Sequence, residues 1–225
     1  MIYPLQLFNS HAIVRTQNDV ILLDTGAPMS LHNNSQFHFE ETLHRCNSGL
    51  RGVTTGSISQ LLGMDITALM GADVLAKYHV LLDYRNLQAE FSTDPIVFEG
   101  NVIGLESFMG IPIIKLTISG NEHRFFLDTG AQYSYVSEQL IRTFPPAGEV
   151  QDFYPGVGQF QISCHDVELM LGADVFNARC GNPPALVQQM LTMGNCQGII
   201  GADLFNNFKV QLDLAGRQMR YIPNV

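Results

Sequence analysis

Two stretches of the chain are near-copies of one another: VILLDTGAPMSL, from Val20 to Leu31, and RFFLDTGAQYSYV, from Arg124 to Val136. Each is an apolar run of the kind that forms a buried strand, and each ends in Asp-Thr-Gly-Ala. A strand ending in this way places a carboxylate, Asp24 or Asp128, on a tight turn, and the glycine that follows, Gly26 or Gly130, admits close approach of backbone. A single Asp-Thr-Gly is often only a turn. An aligned second copy is not something composition produces by chance.

Superposing Asp24 on Asp128 brings further segments into line. LMGADVLAKYHVLLDYRNLQAEF (Leu69 to Phe91) lies over IIGADLFNNFKVQLDLAGRQMRY (Ile199 to Tyr221) without a gap, sharing the Gly-Ala-Asp triplet, Val80/Val210, Leu82/Leu212, Asp83/Asp213 and Gln88/Gln218. YPLQLF (Tyr3 to Phe8) resembles IPIIKLT (Ile111 to Thr117). The chain therefore reads as a duplication, with one lobe over residues 1–99 and a second over 100–225, and Ser92 to Gly110 as a partly structured linker in which Ile96 to Phe98 suits a short strand. The second copy is the longer. Its extra residues fall between Pro145 and Gln197, a Gly-, Pro- and Asn-rich region that reads as loop and insertion.

Strands are expected at Ile2 to Phe8, Ala12 to Thr16, Val20 to Asp24, His79 to Tyr84 and Leu87 to Phe91, with equivalents in the second copy. Helices are expected to be short: Asp73 to Tyr78, Ser137 to Phe144 capped by Ser137, Leu186 to Met193, and Asp203 to Asn207. The class is mostly β.

Two Asp-Thr-Gly turns can meet face to face. Their carboxylates cannot then both ionise comfortably, so the pair shares a proton, and one member can activate water while the other donates to a substrate carbonyl. The doubled Asp-Thr-Gly-Ala, each copy followed by a hydroxyl at Ser30 or Ser134 and later by Leu69-Met70-Gly71 or Ile199-Ile200-Gly201 and a short helix, resembles the retropepsin-like aspartic peptidases. That resemblance implies a bilobal acid-protease fold of two homologous retropepsin-like β-barrel lobes with short helices and a central cleft. It implies an aspartic endopeptidase in which Asp24 and Asp128 form the catalytic pair, Thr25 and Thr129 lock the two loops together, Gly26 and Gly130 lie beside the scissile bond, and Ala27 and Ala131 complete the motif. Pepsin-like enzymes usually carry Ser or Thr at the alanine position. Without that hydroxyl the ionised aspartate loses a donor, so a mildly acidic to near-neutral optimum is expected.

The same resemblance calls for Gly-rich flaps that close over an extended peptide. Asn47 to Ser59 is the candidate in the first lobe and Phe153 to Ser163 in the second, with Tyr154 and Gly156 as candidate substrate-binding residues. Pro28 and Gln132 stand where many retroviral enzymes have a second aspartate. Asp73 and Asp203 read as helix caps or turn residues, Asp83 and Asp213 as the start of turns. His32, His38 and His44, spaced by six, fit no metal-binding pattern and read as surface histidines.

A formal net charge of −9 leaves no basic patch for nucleic acid or an anionic membrane. A hydrophobic fraction of 46% and a charged fraction of 15% belong to ordinary globular proteins. No signal peptide or membrane span is read in the sequence, which makes a cytoplasmic protein the expectation. Cys46, Cys164, Cys180 and Cys196 read as free thiols, with Cys180 and Cys196 as the two that could pair under oxidation. No cofactor and no metal are expected, and one chain should suffice for catalysis because it carries both aspartates. Two readings of other kinds stand beside the peptidase: a catalytically silent peptide-binding or scaffold protein, and an enzyme kept latent until its lobes close or a partner arrives.

Overall fold

Period-two alternation of apolar and polar residues makes strands the main product of this chain. The computed structural model describes residues 1–224. Its first half runs β1 (Ile2–Phe8), β2 (His11–Arg15), β3 (Val20–Leu23), β4 (Leu31–His32), β5 (Gln36–Phe39), β6 (Thr42–Arg45), α1 (Thr55–Leu62), β7 (Ala68–Met70), α2 (Ala72–Leu75), β8 (His79–Asp83) and β9 (Gln88–Ser92). The second half runs β10 (Asn101–Gly104), β11 (Glu106–Phe108), β12 (Ile111–Ile118), β13 (Asn121–Leu127), β14 (Ser134–Val136), α3 (Glu138–Ile141), β15 (Pro146–Tyr154), β16 (Gly158–Leu171), β17 (Asp174–Gly181), α4 (Ala185–Gly194), β18 (Gly198–Ile200), α5 (Ala202–Asn207), β19 (Phe208–Asp213) and β20 (Gln218–Pro223). The fold is mostly β, with short helices.

A ten-stranded sheet in the order β10-β20-β19-β8-β9-β1-β2-β3-β7-β4 crosses from one half to the other. The junction is the antiparallel pair β8 with β19, Val210 opposite Leu82 and Leu212 opposite Val80. These residues are buried in a core that runs through both halves, together with Phe91, Phe205 and Tyr221. An eight-stranded sheet, β11-β12-β13-β18-β14-β17-β16-β15, belongs to the second half alone.

The local pattern around each Asp-Thr-Gly-Ala is the same. β3 pairs in parallel with β7, and β13 with β18. β4 and β14 then run antiparallel to the same partners. α2 and α5 follow directly, beginning at Ala72 and Ala202, and β8–β9 matches β19–β20.

At the start of the halves the structure corrects the sequence alignment. β1 turns into β2 through Asn9 and Ser10, both with positive φ, so that Phe8 faces His11. The matching turn is Met109–Gly110, also with positive φ, so that Phe108 faces Ile111. These are the two-residue hairpin turns whose twist suits the flanking strands. β2 therefore corresponds to β12, and β1 to β10 and β11 together, so Tyr3 to Phe8 is not the counterpart of Ile111 to Thr117. The strand expected at Ile96 to Phe98 is absent, and pairing resumes at Asn101, opposite Tyr221.

The region from Pro145 to Gln197, read as loop, is largely strand. β15, β16 and β17 form one long antiparallel ribbon from Asp152↔Phe160 to Leu171↔Asp174. Alternation inside β16 accounts for this: Ile162, Cys164, Val167, Leu169 and Leu171 are buried while their neighbours face out. The first half's flap candidate is likewise not a hairpin over its length, because its second part is α1. Thr54 caps α1 by accepting from Ser57 N at 3.1 Å, and the Ser57 hydroxyl accepts from Thr54 N at 2.9 Å.

Two of the three histidines are interior. His32 accepts Asn34 N–H on Nδ1 at 2.9 Å, which leaves Nε2 to donate to Asp19 Oδ1, also at 2.9 Å. His44 contacts the Tyr78 hydroxyl at 2.8 Å and packs on Phe37. Only His38 is exposed. All four cysteines are free. Cys180 and Cys196 belong to different core clusters, so the structure does not bring them together as a pair.

Candidate active site

Each aspartate is fixed first by its own half. Asp24 N donates to Met70 O and Asp128 N to Ile200 O, both at 3.0 Å, so the parallel neighbour strand continues one residue past the end of β3 and β13. The turn then closes on itself, with Ala27 N reaching Asp24 O and Ala131 N reaching Asp128 O, both at 3.3 Å. Ala72 N and Ala202 N bind the carbonyls of Ala27 and Ala131, which ties the following helix to the loop.

The threonines join the halves. Thr25 Oγ1 donates to Leu127 O at 2.6 Å and accepts from Thr129 N at 3.0 Å. Thr129 Oγ1 donates to Leu23 O at 2.9 Å and accepts from Thr25 N at 3.0 Å. Both side chains are buried. The Thr25 and Thr129 N–H groups and the Leu23 and Leu127 carbonyls are thereby satisfied by the opposite half.

The glycines set how close the turns come. A Cβ on Gly26 would collide with the carboxylate of Asp128, and one on Gly130 with that of Asp24. Each carboxyl group thus lies against the opposite turn, and the two face each other at the floor of the cleft. Asp24 Oδ1 accepts from Ala27 N at 2.9 Å and Asp128 Oδ1 from Gly130 N at 2.8 Å. Burial and the charge of Asp128 push Asp24 well above the ordinary carboxylate range. Burial also raises Asp128, while donors from Gly130, Gly26 and Ala131 and the contact with Asp24 pull it back. One proton shared between the two is the state this environment favours.

Ser30 and Ser134 support the loops from behind. Each hydroxyl accepts from the glycine N–H at the head of the next helix, Gly71 at 2.9 Å and Gly201 at 3.2 Å. Each donates to an aspartate, Ser30 to Asp73 at 2.6 Å and Ser134 to Asp203 at 2.7 Å. Neither α2 nor α5 has a side-chain cap, so Asp73 and Asp203 are anchors for these serines, not the caps read from sequence. Asp83 and Asp213 do open turns, accepting from Asn86 N and Gly216 N.

Above the aspartates lies a cavity of about 610 Å³ lined from both halves. All eight residues of the doubled motif converge on its floor or brace it, and Tyr154 and Gly156 line it from the tip of the β15–β16 hairpin. The Tyr154 hydroxyl donates toward Met190 Sδ at 3.1 Å, and burial, with the charges of the two aspartates, raises its pKa. Across the cleft the first half contributes the tight turn Leu50–Val53, closed by two backbone bonds.

Sequence reasoning missed three parts of this wall. α4 presents Leu186, Met190 and Met193 to the cavity, an i, i+4, i+7 stripe opposite its buried Val187 and Leu191. His11, the first residue of β2, stacks on Phe153 with ring centres 5.5 Å apart, and burial lowers its pKa. Asp152, hydrogen-bonded to the Tyr135 hydroxyl, also opens on the cavity. The helix stripe was legible; the other two depend on contacts across the fold. Among the described residues, no group of three or more His, Cys, Asp or Glu is placed to hold a metal ion, and no helix is long and apolar enough to cross a membrane.

Residues 110–213, which include Asp128, match the family model of the retroviral aspartyl protease. Among solved structures, the solution structure of the simian foamy virus (mac) protease is similar at 14% identity and a TM-score of 0.31, covering 41% of this chain and 90% of that one. No curated protein matches the chain.

Proposed function

We propose that this chain is a single-chain aspartic endopeptidase made of two fused retropepsin-like lobes, residues 1–99 and 100–225, with Asp24 and Asp128 as its catalytic pair. The observation that carries the reading is the reciprocal lock of Thr25 and Thr129, which holds two carboxyl groups in contact where both are pushed toward protonation. The family match over residues 110–213 supports aspartic peptidase chemistry in general.

In this mechanism the ionised member of the pair takes a proton from a water held between the aspartates, and that water attacks the peptide carbonyl. The protonated member gives its proton to the carbonyl oxygen, forming a neutral tetrahedral diol without a covalent enzyme intermediate. Proton transfer to the amide nitrogen then breaks the C–N bond and restores the starting state. An extended peptide lies across the cleft, with the β15–β16 hairpin, Tyr154 and Gly156 closing over it. Since both aspartates come from one chain, a monomer suffices.

Backbone N–H groups, among them Ala27 N and Gly130 N, and the proton shared with the partner carboxyl stabilise the ionised form, and Ala27 and Ala131 add no hydroxyl donor. The optimum is therefore mildly acidic to near neutral. Digestion of a peptide library from about pH 3 to 8 tests the reading. Cleavage is expected in the wild type and should fall by at least about a thousandfold in Asp24→Asn and in Asp128→Asn. A profile rising only below about pH 4, or an Asp24→Asn protein that cleaves normally, would sink it. Peptide binding without cleavage would instead support the silent binder, for which the slight closure offered by the first half is the motive; binding alone, however, needs no paired acids.

A further inference from the structure

The cleft contains a third carboxyl group that hydrolysis does not use. Asp152 lies on β15, is 7% exposed, and lines the same cavity as Asp24 and Asp128. Its Oδ1 accepts from Phe153 N at 2.8 Å and its Oδ2 from the Tyr135 hydroxyl. Among the described residues it forms no ion pair. Arg124, Arg142, Arg179, Lys115 and Lys209 are engaged with Glu106, Glu138, Asp166, Glu122 and Asp83 respectively. Arg51, the cation lining the cleft, is exposed on the opposite turn.

A buried carboxylate without a counter-charge is costly, and two neutral donors offset that cost only in part. A carboxylate has about four acceptor sites, of which these donors occupy two. Burial and the nearby charge of Asp128 accordingly raise its pKa. The cavity beside it is walled by Tyr135, Phe153, Tyr154 and Ile199. Such a surface suits the aliphatic stem of a long basic side chain and the π-face attraction of its head.

We propose that Asp152, positioned by Tyr135, is a specificity-determining residue that recognises a lysine or arginine side chain of the substrate peptide. The proposal rests on the reading of the cleft as a peptidase site. Asp152 also ties β15 to β14 through Tyr135, and an asparagine would keep that tie while losing the charge. Asp152→Asn therefore separates recognition from support.

The experiment uses paired peptides that differ only by lysine or norleucine, scanned through the positions flanking the cleaved bond. At one position the wild type should favour lysine by about tenfold or more in kcat/KM, and in Asp152→Asn that ratio should fall to about one. An absence of any position favouring lysine, or a ratio that survives the substitution while both rates drop together, would overturn the proposal and leave the peptidase standing. The same pairs are made with a reduced, uncleavable bond and measured by calorimetry. If no peptide is cleaved, the peptidase reading fails, yet tighter binding of the lysine analogue to wild type and not to Asp152→Asn would still support recognition by Asp152. Equal binding of the two analogues, or none, would overturn it.

Discussion

The two halves present the same loop and oppose it with different walls. Around Asp24 and Asp128 the threonine exchange and the serine–aspartate brace repeat, with lengths that differ by at most a few tenths of an ångström, although Asp24 Oδ1 accepts from Ala27 N and Asp128 Oδ1 from Gly130 N. Above that floor, the first half has the short turn Leu50–Val53, and the second a ribbon reaching from Pro146 to Gly181 with α4 behind it. The floor is constrained from both sides, since each loop completes the other, whereas the walls are unlike elements that meet through contacts such as His11 on Phe153. Symmetry persists where the two copies are each other's environment.

The largest expected effect probes the shared floor. Thr25→Val and Thr129→Val each delete one donor and one acceptor and leave opposite backbone groups buried without partners, so each should cost about 2–4 kcal/mol. In thermal unfolding this is a fall of about 5–15 °C, of similar size for the two variants. A clear difference between them would break the equivalence of the loops.

A smaller effect is expected at the walls, and there it should be unequal. Replacing Tyr154 to Gly158 by an Asn-Gly turn between Phe153 and Gln159 keeps the ribbon's register and removes its tip. Peptide hydrolysis should then lose about ten- to a hundredfold in kcat/KM, whereas Arg51→Ala in the opposite turn should shift it by about threefold or less. Comparable losses on the two sides would mean that both halves close the cleft.

The smallest effect runs toward higher stability. A carboxyl group whose pKa is raised by folding holds its proton in the folded chain at pH values where the unfolded chain has released it, so its contribution declines as pH rises from about 4 through the folded value. Asparagine at position 24 or 128 removes that penalty. Either variant should melt about 2–5 °C above wild type at pH 7, with the gain shrinking toward pH 4. Variants no more stable than wild type at pH 7 would show that the pair is less strained than its burial implies.

The floor was the legible part of this molecule. Asp24, Thr25, Gly26 and their repeats are set by local turn chemistry, which a sequence shows directly, and β8–β9 with β19–β20 repeat without a gap. Elsewhere the rule that glycine and proline mark loops misled. Gly148, Gly156 and Gly158 all have positive φ, in or at the tip of the β15–β16 hairpin, but the alternation running through β16 keeps the strand. Thr54 and Ser57 form a capping box without the usual Glu or Gln, so α1 passed for part of a flap. His32 and His44 read as surface residues in sequence because their partners, Asp19 and Tyr78, lie in other elements. Asp152 escaped for the same reason: its meaning depends on Tyr135 and on a cavity, neither of which is local.

The pairing of β8 with β19 has a consequence in time. Asp24 is made before Asp128, and the sheet that seats the two halves together requires Phe208–Asp213, later still in the chain. Long-range pairing of this kind is slow to form and cannot begin until its later strand has been made. A nascent chain therefore carries Asp24 without a partner until Phe208–Asp213 has been made, and the two carboxyl groups can be seated against each other only after that.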